Sequence, residues 1–388
     1  MSQYYSYLNS AEKIIDEYEG KEPFSLYLKA FFRANKKYGS RDRRQVSHLC
    51  YCFFRLGKLG ESLPTPERIL IALFLCSEEP NVIITELKPG WEEQITSSVQ
   101  EKLQFLGIGV KLEEIFPWKE ALSDSVDYES FSASFFSQPN LFLRLRPNHE
   151  KNVLNKLAKA DFEFEKLSES CISLPNGSKV DQVLTLDREA VIQDYNSQKT
   201  GETLAKGLAH KNASVWDCCA GSGGKSIMAY DVDPTIELTV SDVRKSIMIN
   251  LKNRFRDAGI RNYTEFLTDL ASSNPNHPST EYDLIVVDAP CTGSGTWSRT
   301  PEQLYYFEEN KIAEYALLQR KIATNVVPNM KIGGFLLYIT CSVFKQENEA
   351  QVQYLEDKFG LVTQHSQLLK GYDQQADTLF VALLQKEK

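Results

Sequence analysis

The sequence predicts an α/β protein: a Rossmann-like, doubly wound, mostly parallel sheet preceded by a small α+β module and a helical N-terminal domain. Three observations predict it. From about residue 196 short apolar, strand-like segments alternate with helical ones. A glycine-rich turn, Gly221-Ser-Gly-Gly224, joins the first of these strands to a helix. Four strands carry an aspartate at or just past their carboxyl ends: Asp217, Asp242, Asp269 and Asp288.

Residues 1–135 read as helices. Ser10–Tyr18, Pro23–Phe32 and Val46–Leu59 place apolar residues three and four apart, and residues 94–106 suit a further helix. Pro64, Pro66, Pro80 and Pro89 mark breaks between them. Residues 136–195 read as the α+β module. Leu141–Arg146 alternates as a strand does, Glu150–Ala160 is helical, and Cys171–Leu174 and Ala190–Gln193 are strand-like. Residues 196–388 form the third domain, with strands expected at 214–217, 236–240, 264–268, 284–288, 334–340 and 379–384. Ser272–Ser279, rich in Ser, Asn and Pro, is a loop.

Bulk properties narrow the function. The chain has 388 residues, 42% hydrophobic and 25% charged, as ordinary globular proteins do. Its longest apolar run, Ile69–Cys76, is far too short to cross a bilayer, and the N-terminus lacks the pattern of a signal peptide. A cytoplasmic protein without membrane partners is expected. The eight cysteines contain no Cys-x-x-Cys pair, so no metal site is expected, and free thiols fit better than disulfides. The net charge of −8 argues against nucleic-acid binding by the chain as a whole. One stretch departs from it: Lys29–Lys58 holds nine Lys and Arg against Asp42 alone. A local basic patch of this kind can meet a phosphate backbone.

The chemistry-bearing motifs lie on the carboxyl edge of the expected sheet. Val215-Trp-Asp-Cys-Cys-Ala-Gly-Ser-Gly-Gly-Lys-Ser226 runs from strand into helix. A P-loop would need glycine where Cys219 stands, and the dinucleotide pattern would need it at Ser226, so neither fits. A purely structural turn is the alternative to a ligand-binding one. Asp242, 25 residues after Asp217, is placed to accept both ribose hydroxyls of an adenosine, and Asp269 lies toward the adenine side. Two further strands end in cysteine motifs, Asp288-Ala-Pro-Cys291 and Thr340-Cys341-Ser342. A lone cysteine is usually a small core residue. That reading suits Cys50, Cys52, Cys76, Cys171 and Cys218 better than Cys291 and Cys341.

These segments resemble the RNA cytosine-C5 methyltransferase family that includes the bacterial Sun/Fmu rRNA enzymes. The matching stretches are Asp217–Lys225, Asp288–Cys291, Thr340–Ser342, Glu347-Asn-Glu349 and Val191–Gln198, and the resemblance covers about residues 138–388. Two details depart from the family's usual pattern: Gly-Ser-Gly-Gly-Lys replaces Ala-Pro-Gly-Gly-Lys in the turn, and the last strand opens Asp377-Thr-Leu-Phe380. The resemblance implies a class I S-adenosylmethionine-dependent methyltransferase fold. It implies cofactor contacts from Cys219, Ala220, Gly221, Ser222, Gly223, Gly224, Lys225, Asp242, Asp269 and Asp288. Cys341 becomes the nucleophile toward cytosine, Asp288 a partner of the base, and Cys291 the residue that assists release. Without the Thr-Cys motif, Cys291 would be the first choice of nucleophile, as in DNA cytosine methyltransferases.

The implied partner is RNA, with rRNA favoured because Gly39–Arg55 resembles the helical N-terminal domain of the Sun/Fmu enzymes. Arg144 and Arg146, on one strand face, are expected to meet phosphates or solvent. A monomer is expected. The alternatives are a tRNA cytosine-C5 methyltransferase and a non-catalytic ribosome assembly factor of the same fold.

Overall fold

A computed structural model describes residues 3–107, 112–208 and 210–388. The chain groups into two units. The first comprises residues 1–120, 127–138 and 296–309, and its described elements are helical. Its helices are α1 (Gln3–Glu17), α2 (Phe24–Ala34), α3 (Ser40–Arg55), α4 (Thr65–Cys76), α5 (Val82–Leu87), α6 (Val99–Leu106) and α7 (Tyr128–Ser134). The later helix Pro301–Tyr306, α12 in chain order, belongs to the same unit. The apolar run Ile69–Cys76 is the body of α4, and every residue from Arg68 to Leu75 is buried. A helix covered all round shows no amphipathic period, which is why the spacing gives no sign of it. The first six residues of α3 are equally silent because they are polar. Asp42 starts the helix by accepting the Gly39 N–H at 2.9 Å. The α6 helix begins later than the periodicity suggests, at a Ser98–Glu101 capping box.

The second unit holds two sheets. The smaller is antiparallel, in the order β2-β3-β1-β4, built from β1 (Leu141–Leu145), β2 (Glu165–Lys166), β3 (Cys171–Leu174) and β4 (Ala190–Ile192). Leu143, Leu145, Ile172 and Leu174 pack with Val153 and Leu157 of α8 (Glu150–Lys159). The opposite face of β1 carries Arg144 and, one residue past the strand, Arg146. The structure corrects the expectation for them. Both are buried, and both donate to the Asp231 carboxylate at 2.6 Å. Arg146 also reaches the Ala258 carbonyl at 2.7 Å. A buried carboxylate needs such partners, so these guanidiniums are committed to the fold and not to phosphates.

The larger sheet is seven-stranded, in the order β10-β11-β9-β8-β5-β6-β7. In chain order it runs α9 (Tyr195–Gly207), β5 (Ser214–Asp217), α10 (Gly224–Val232), β6 (Glu237–Asp242), α11 (Lys245–Ala258), β7 (Tyr263–Leu267) and β8 (Tyr282–Asp288). Then follow α13 (Asn310–Val326), β9 (Met330–Thr340), α14 (Glu349–Phe359), β10 (Val362–Leu369) and β11 (Leu379–Gln385). The strands β5 to β9 pair in parallel, while β11 pairs antiparallel with β9 and β10. This is the Rossmann-like fold the alternation predicts. Both faces are covered at its centre, so residues 284–287 of β8 and 335–339 of β9 are apolar without a break. Leu284, Val286, Leu337 and Ile339 enter one core, and Ile285, Val287, Leu336 and Tyr338 enter the other. Among the described residues no helix is long and apolar enough to cross a membrane.

Candidate active site

Strand order reverses between β5 and β8: β6 lies on one side of β5 and β8 on the other. In open α/β sheets, ligands bind at the carboxyl ends of strands beside such a point. The turn after β5 is shaped by its glycines. Gly223 has φ 86°, and a Cβ there would meet the Phe255 ring at 2.6 Å, so no other residue fits. Gly221 donates its N–H to Asp242 Oδ2 at 2.9 Å, binding the turn to the end of β6. Asp217 lies beneath the turn, fully buried, and accepts the Ser226 hydroxyl at 2.6 Å; burial pushes its carboxyl up to about 7.

Above the turn lies a cleft of about 450 Å³, lined by Cys218, Cys219, Asp242, Asp269, Asp288 and Tyr315 among others. That volume falls in the range of about 300–1,000 Å³ typical of small-molecule sites. A larger groove of about 880 Å³ lies at the opposite, amino edge of β5–β7, away from every motif residue. Asp242 also accepts the backbone N–H and guanidinium of Arg244 at 2.9 and 3.0 Å. Burial raises the Asp242 carboxyl, but Arg244 and the Gly221 N–H outweigh it and hold the group below its usual range. The Arg244 side chain is 62% exposed, so it can yield this carboxylate to another donor.

The thiols stand at the other end of the same edge. Strands β8 and β9 pair in parallel, so the loops after Asp288 and Thr340 bring Cys291 and Cys341 to one place. Gly295 donates its N–H to the Cys341 carbonyl at 2.9 Å. A Cβ on Gly295 would meet the Thr378 oxygen at 1.9 Å, so this loop requires glycine. Lys225, buried on the first turn of α10, donates to Asp288 Oδ2 at 3.2 Å and to Ser197 Oγ at 2.8 Å. Burial works against its charge, but Asp288, Cys341 and Asp217 outweigh it and raise its pKa. The Cys341 thiol is pushed well up by a hydrogen bond with Cys291, by burial and by the Asp288 charge, with Lys225 pulling the other way. The Lys225 charge thus acts on Cys341 in the direction of the thiolate.

The expected residues fall into two groups that meet at Asp288. Cys219, Asp242, Asp269 and Asp288 line the cleft; Lys225, Asp288, Cys291 and Cys341 form the thiol cluster. Ala220, Gly221, Gly223 and Gly224 build the turn. Ser222 is engaged elsewhere: its carbonyl and hydroxyl both accept from Arg254, which pairs with Asp187. The sequence reading did not single out Ser197, Arg244 or Tyr315. Ser197 lies in the stretch Val191–Gln198 and was accessible as a motif residue; Arg244 and Tyr315 carry no local signal. Among the described residues no group of three or more His, Cys, Asp or Glu is placed to hold a metal ion.

Residues 206–382 match the family model described as 16S rRNA methyltransferase RsmB/F. Curated relatives include the ribosomal RNA small subunit methyltransferase B of Shewanella oneidensis, 31% identical over 170 residues, 44% of this chain and 39% of the relative. That of Proteus mirabilis is 27% identical over 166 residues, 42% of this chain and 37% of the relative. The matched region thus spans well under two thirds of these relatives' length. Among solved structures, a protein designated PH0851 superposes with TM-score 0.69 at 19% identity, covering 98% of each chain. NSun6 from Pyrococcus horikoshii, solved with SFG, superposes with TM-score 0.59 at 14% identity over 71% of this chain and 97% of that one. At these identities the structural likeness establishes the fold.

Proposed function

We propose that the protein is an S-adenosylmethionine-dependent RNA methyltransferase forming 5-methylcytosine in rRNA, on the premise that residues 206–382 match the family model described as 16S rRNA methyltransferase RsmB/F. One observation carries the reading: two thiols at the carboxyl ends of adjacent strands, with the Lys225 ammonium and the Asp288 carboxylate beside Cys341. Carbon 5 of cytosine is a weak nucleophile, and covalent catalysis overcomes this. The Cys341 sulfur bonds to carbon 6 and the C5=C6 pair is released toward carbon 5, with Asp288 holding a proton at N3. After carbon 5 is methylated, the Cys291 sulfur takes its proton as the base of this reading, the C5–H electron pair re-forms C5=C6, the C6–S bond breaks and Cys341 leaves as thiolate. Cys291 assists this release. Lys225 favours the attacking thiolate.

The residues fit the cofactor. Asp242 presents a buried, ionised carboxylate to the cleft for ribose hydroxyls, the glycine turn leaves room for close approach, and Cys219 and Asp269 complete the wall. S-adenosylmethionine supplies the methyl group when bound. A flipped or single-stranded cytosine is required, since a stacked base cannot reach Cys341. The helical unit and the four-stranded module bind the RNA in this reading. Lys36, Lys37, Arg41, Arg43 and Arg44 are all exposed around the start of α3 and meet its phosphates. The protein acts as a monomer.

Incubation with labelled S-adenosylmethionine and unmodified small-subunit rRNA tests the proposal. Label in 5-methylcytosine of that RNA is expected. Label in tRNA alone makes the tRNA reading correct. Absence of transfer by a protein that binds the cofactor makes it a non-catalytic assembly factor.

A further inference from the structure

The segment Glu347-Asn-Glu349 takes no part in the chemistry above, yet it lies beneath both thiol loops. Glu347, on the turn between β9 and α14, is 0% exposed. Its carboxylate accepts four hydrogen bonds. Thr292 gives two, from its backbone N–H at 2.9 Å and its hydroxyl at 2.6 Å. The Ser342 hydroxyl gives a third at 2.5 Å and Gln319 Nε2 a fourth at 3.0 Å. Thr292 directly follows Cys291, and Ser342 directly follows Cys341. One carboxylate therefore grips the residue next to each cysteine. Gln319 extends the grip by donating to the Pro290 carbonyl at 3.1 Å, on the other side of Cys291. Asn348 does the same for Cys341: its Oδ1 accepts the Thr340 hydroxyl at 2.6 Å, and its Nδ2 donates to the Ser342 carbonyl at 2.9 Å.

The donors to Glu347 are all neutral. Burial pushes its carboxyl up, and the hydroxyl, amide and backbone donors only partly oppose this. A carboxylate held this way is a costly choice for packing alone. Its use is geometric: two oxygens accept all four bonds, whereas a glutamine offers one oxygen and two unwanted donors. Glu347 does not line the cleft, so its effect must pass through the loops it holds.

We propose that Glu347 is a positioning residue that fixes the spacing of the Cys291 and Cys341 thiols, and through it the step from attack to release. The kinetic half rests on the two-thiol reading above; the spacing half does not. Glu347→Gln is the test, with two readouts. The first is the rate at which diamide oxidises Cys291 and Cys341 to a mutual disulfide in the RNA-free protein, counted by peptide mass spectrometry. The second is single-turnover formation and decay of the protein–RNA adduct. Loss of about two hydrogen bonds predicts disulfide formation slowed by about tenfold or more. Adduct decay should slow by a similar factor, with adduct formation far less affected. Thr292→Val, which removes the hydroxyl donor alone, should give a smaller shift of the same kind and carries the test if Glu347→Gln does not fold. Unchanged disulfide formation in a folded variant overturns the proposal, as does an equal slowing of adduct formation and decay. If the wild-type protein forms no adduct, the two-thiol reading fails while the disulfide readout still decides the spacing.

Discussion

Replacing Asp242 by Asn isolates the cofactor contact from the fold. The carboxylate receives the Gly221 N–H and three donors of Arg244. Asn keeps one acceptor for Gly221, so the turn should persist and the melting temperature should change little. What is lost is charge. A hydrogen bond to a charged group contributes about 1.5–3 kcal/mol and a neutral one about 0.5–1.5 kcal/mol. Two ribose hydroxyls therefore lose about 2–3 kcal/mol, which weakens S-adenosylmethionine binding by about 30- to 150-fold. Arg244→Ala is the control. The Arg244 side chain is 62% exposed, and an exposed ion pair contributes no more than about 1 kcal/mol, so affinity should stay within about fivefold. Because Asp242 is held below its usual range in the intact protein, its carboxylate persists through mildly acidic pH, and the contrast between Asp242→Asn and the unmutated protein should not depend on pH above 5. Calorimetric titration reads both. An unchanged Kd for Asp242→Asn removes Asp242 from the site.

Four further outcomes follow from other parts of the structure. Neutralising Lys36, Lys37, Arg41, Arg43 and Arg44 should flatten the salt dependence of RNA binding, the log–log slope falling by roughly 0.7–0.9 per lost phosphate contact; an unchanged slope assigns the patch to something else. Asp231→Ala leaves two buried guanidiniums without their partner, which should cost about 3–5 kcal/mol. Calorimetry should then show a melting point lowered by roughly 6–20 °C, and a drop under about 3 °C contradicts the assignment. The raised Cys341 pKa means that the thiolate fraction is small at neutral pH and grows with pH, so single-turnover methyl transfer should accelerate from pH 7 to 9. Lys225→Met should displace that profile further toward alkaline pH, and an unmoved profile takes Lys225 out of thiolate stabilisation.

Legibility in the sequence followed the covering of each element. Strands β5, β8 and β9 are buried on both faces and read as apolar runs, and the glycine turn marks the switch point. Strand β10 escaped notice because it is an edge strand paired only with β11, and its first six residues, Val362 to Gln367, are largely polar and exposed or half-buried. The thiol cluster was legible because each member sits in a short motif. The contacts that tune it were not. Ser197 meets Lys225 across 28 residues, and Thr292 meets Glu347 across 55. Nothing in local spacing reports such a meeting. Arg144 and Arg146 mislead for the same reason: alternating arginines on a strand look solvated until Asp231, more than eighty residues on, covers them.

The division of labour between the two cysteines is tested most directly on one denaturing gel. Cys341→Ala and Cys291→Ala are each incubated with an unmodified rRNA fragment and S-adenosylmethionine. If Cys341 attacks carbon 6 and Cys291 assists release, Cys291→Ala accumulates a covalent protein–RNA band that survives denaturation, and Cys341→Ala forms none. A band seen only with Cys341→Ala would contradict this assignment and make Cys291 the nucleophile.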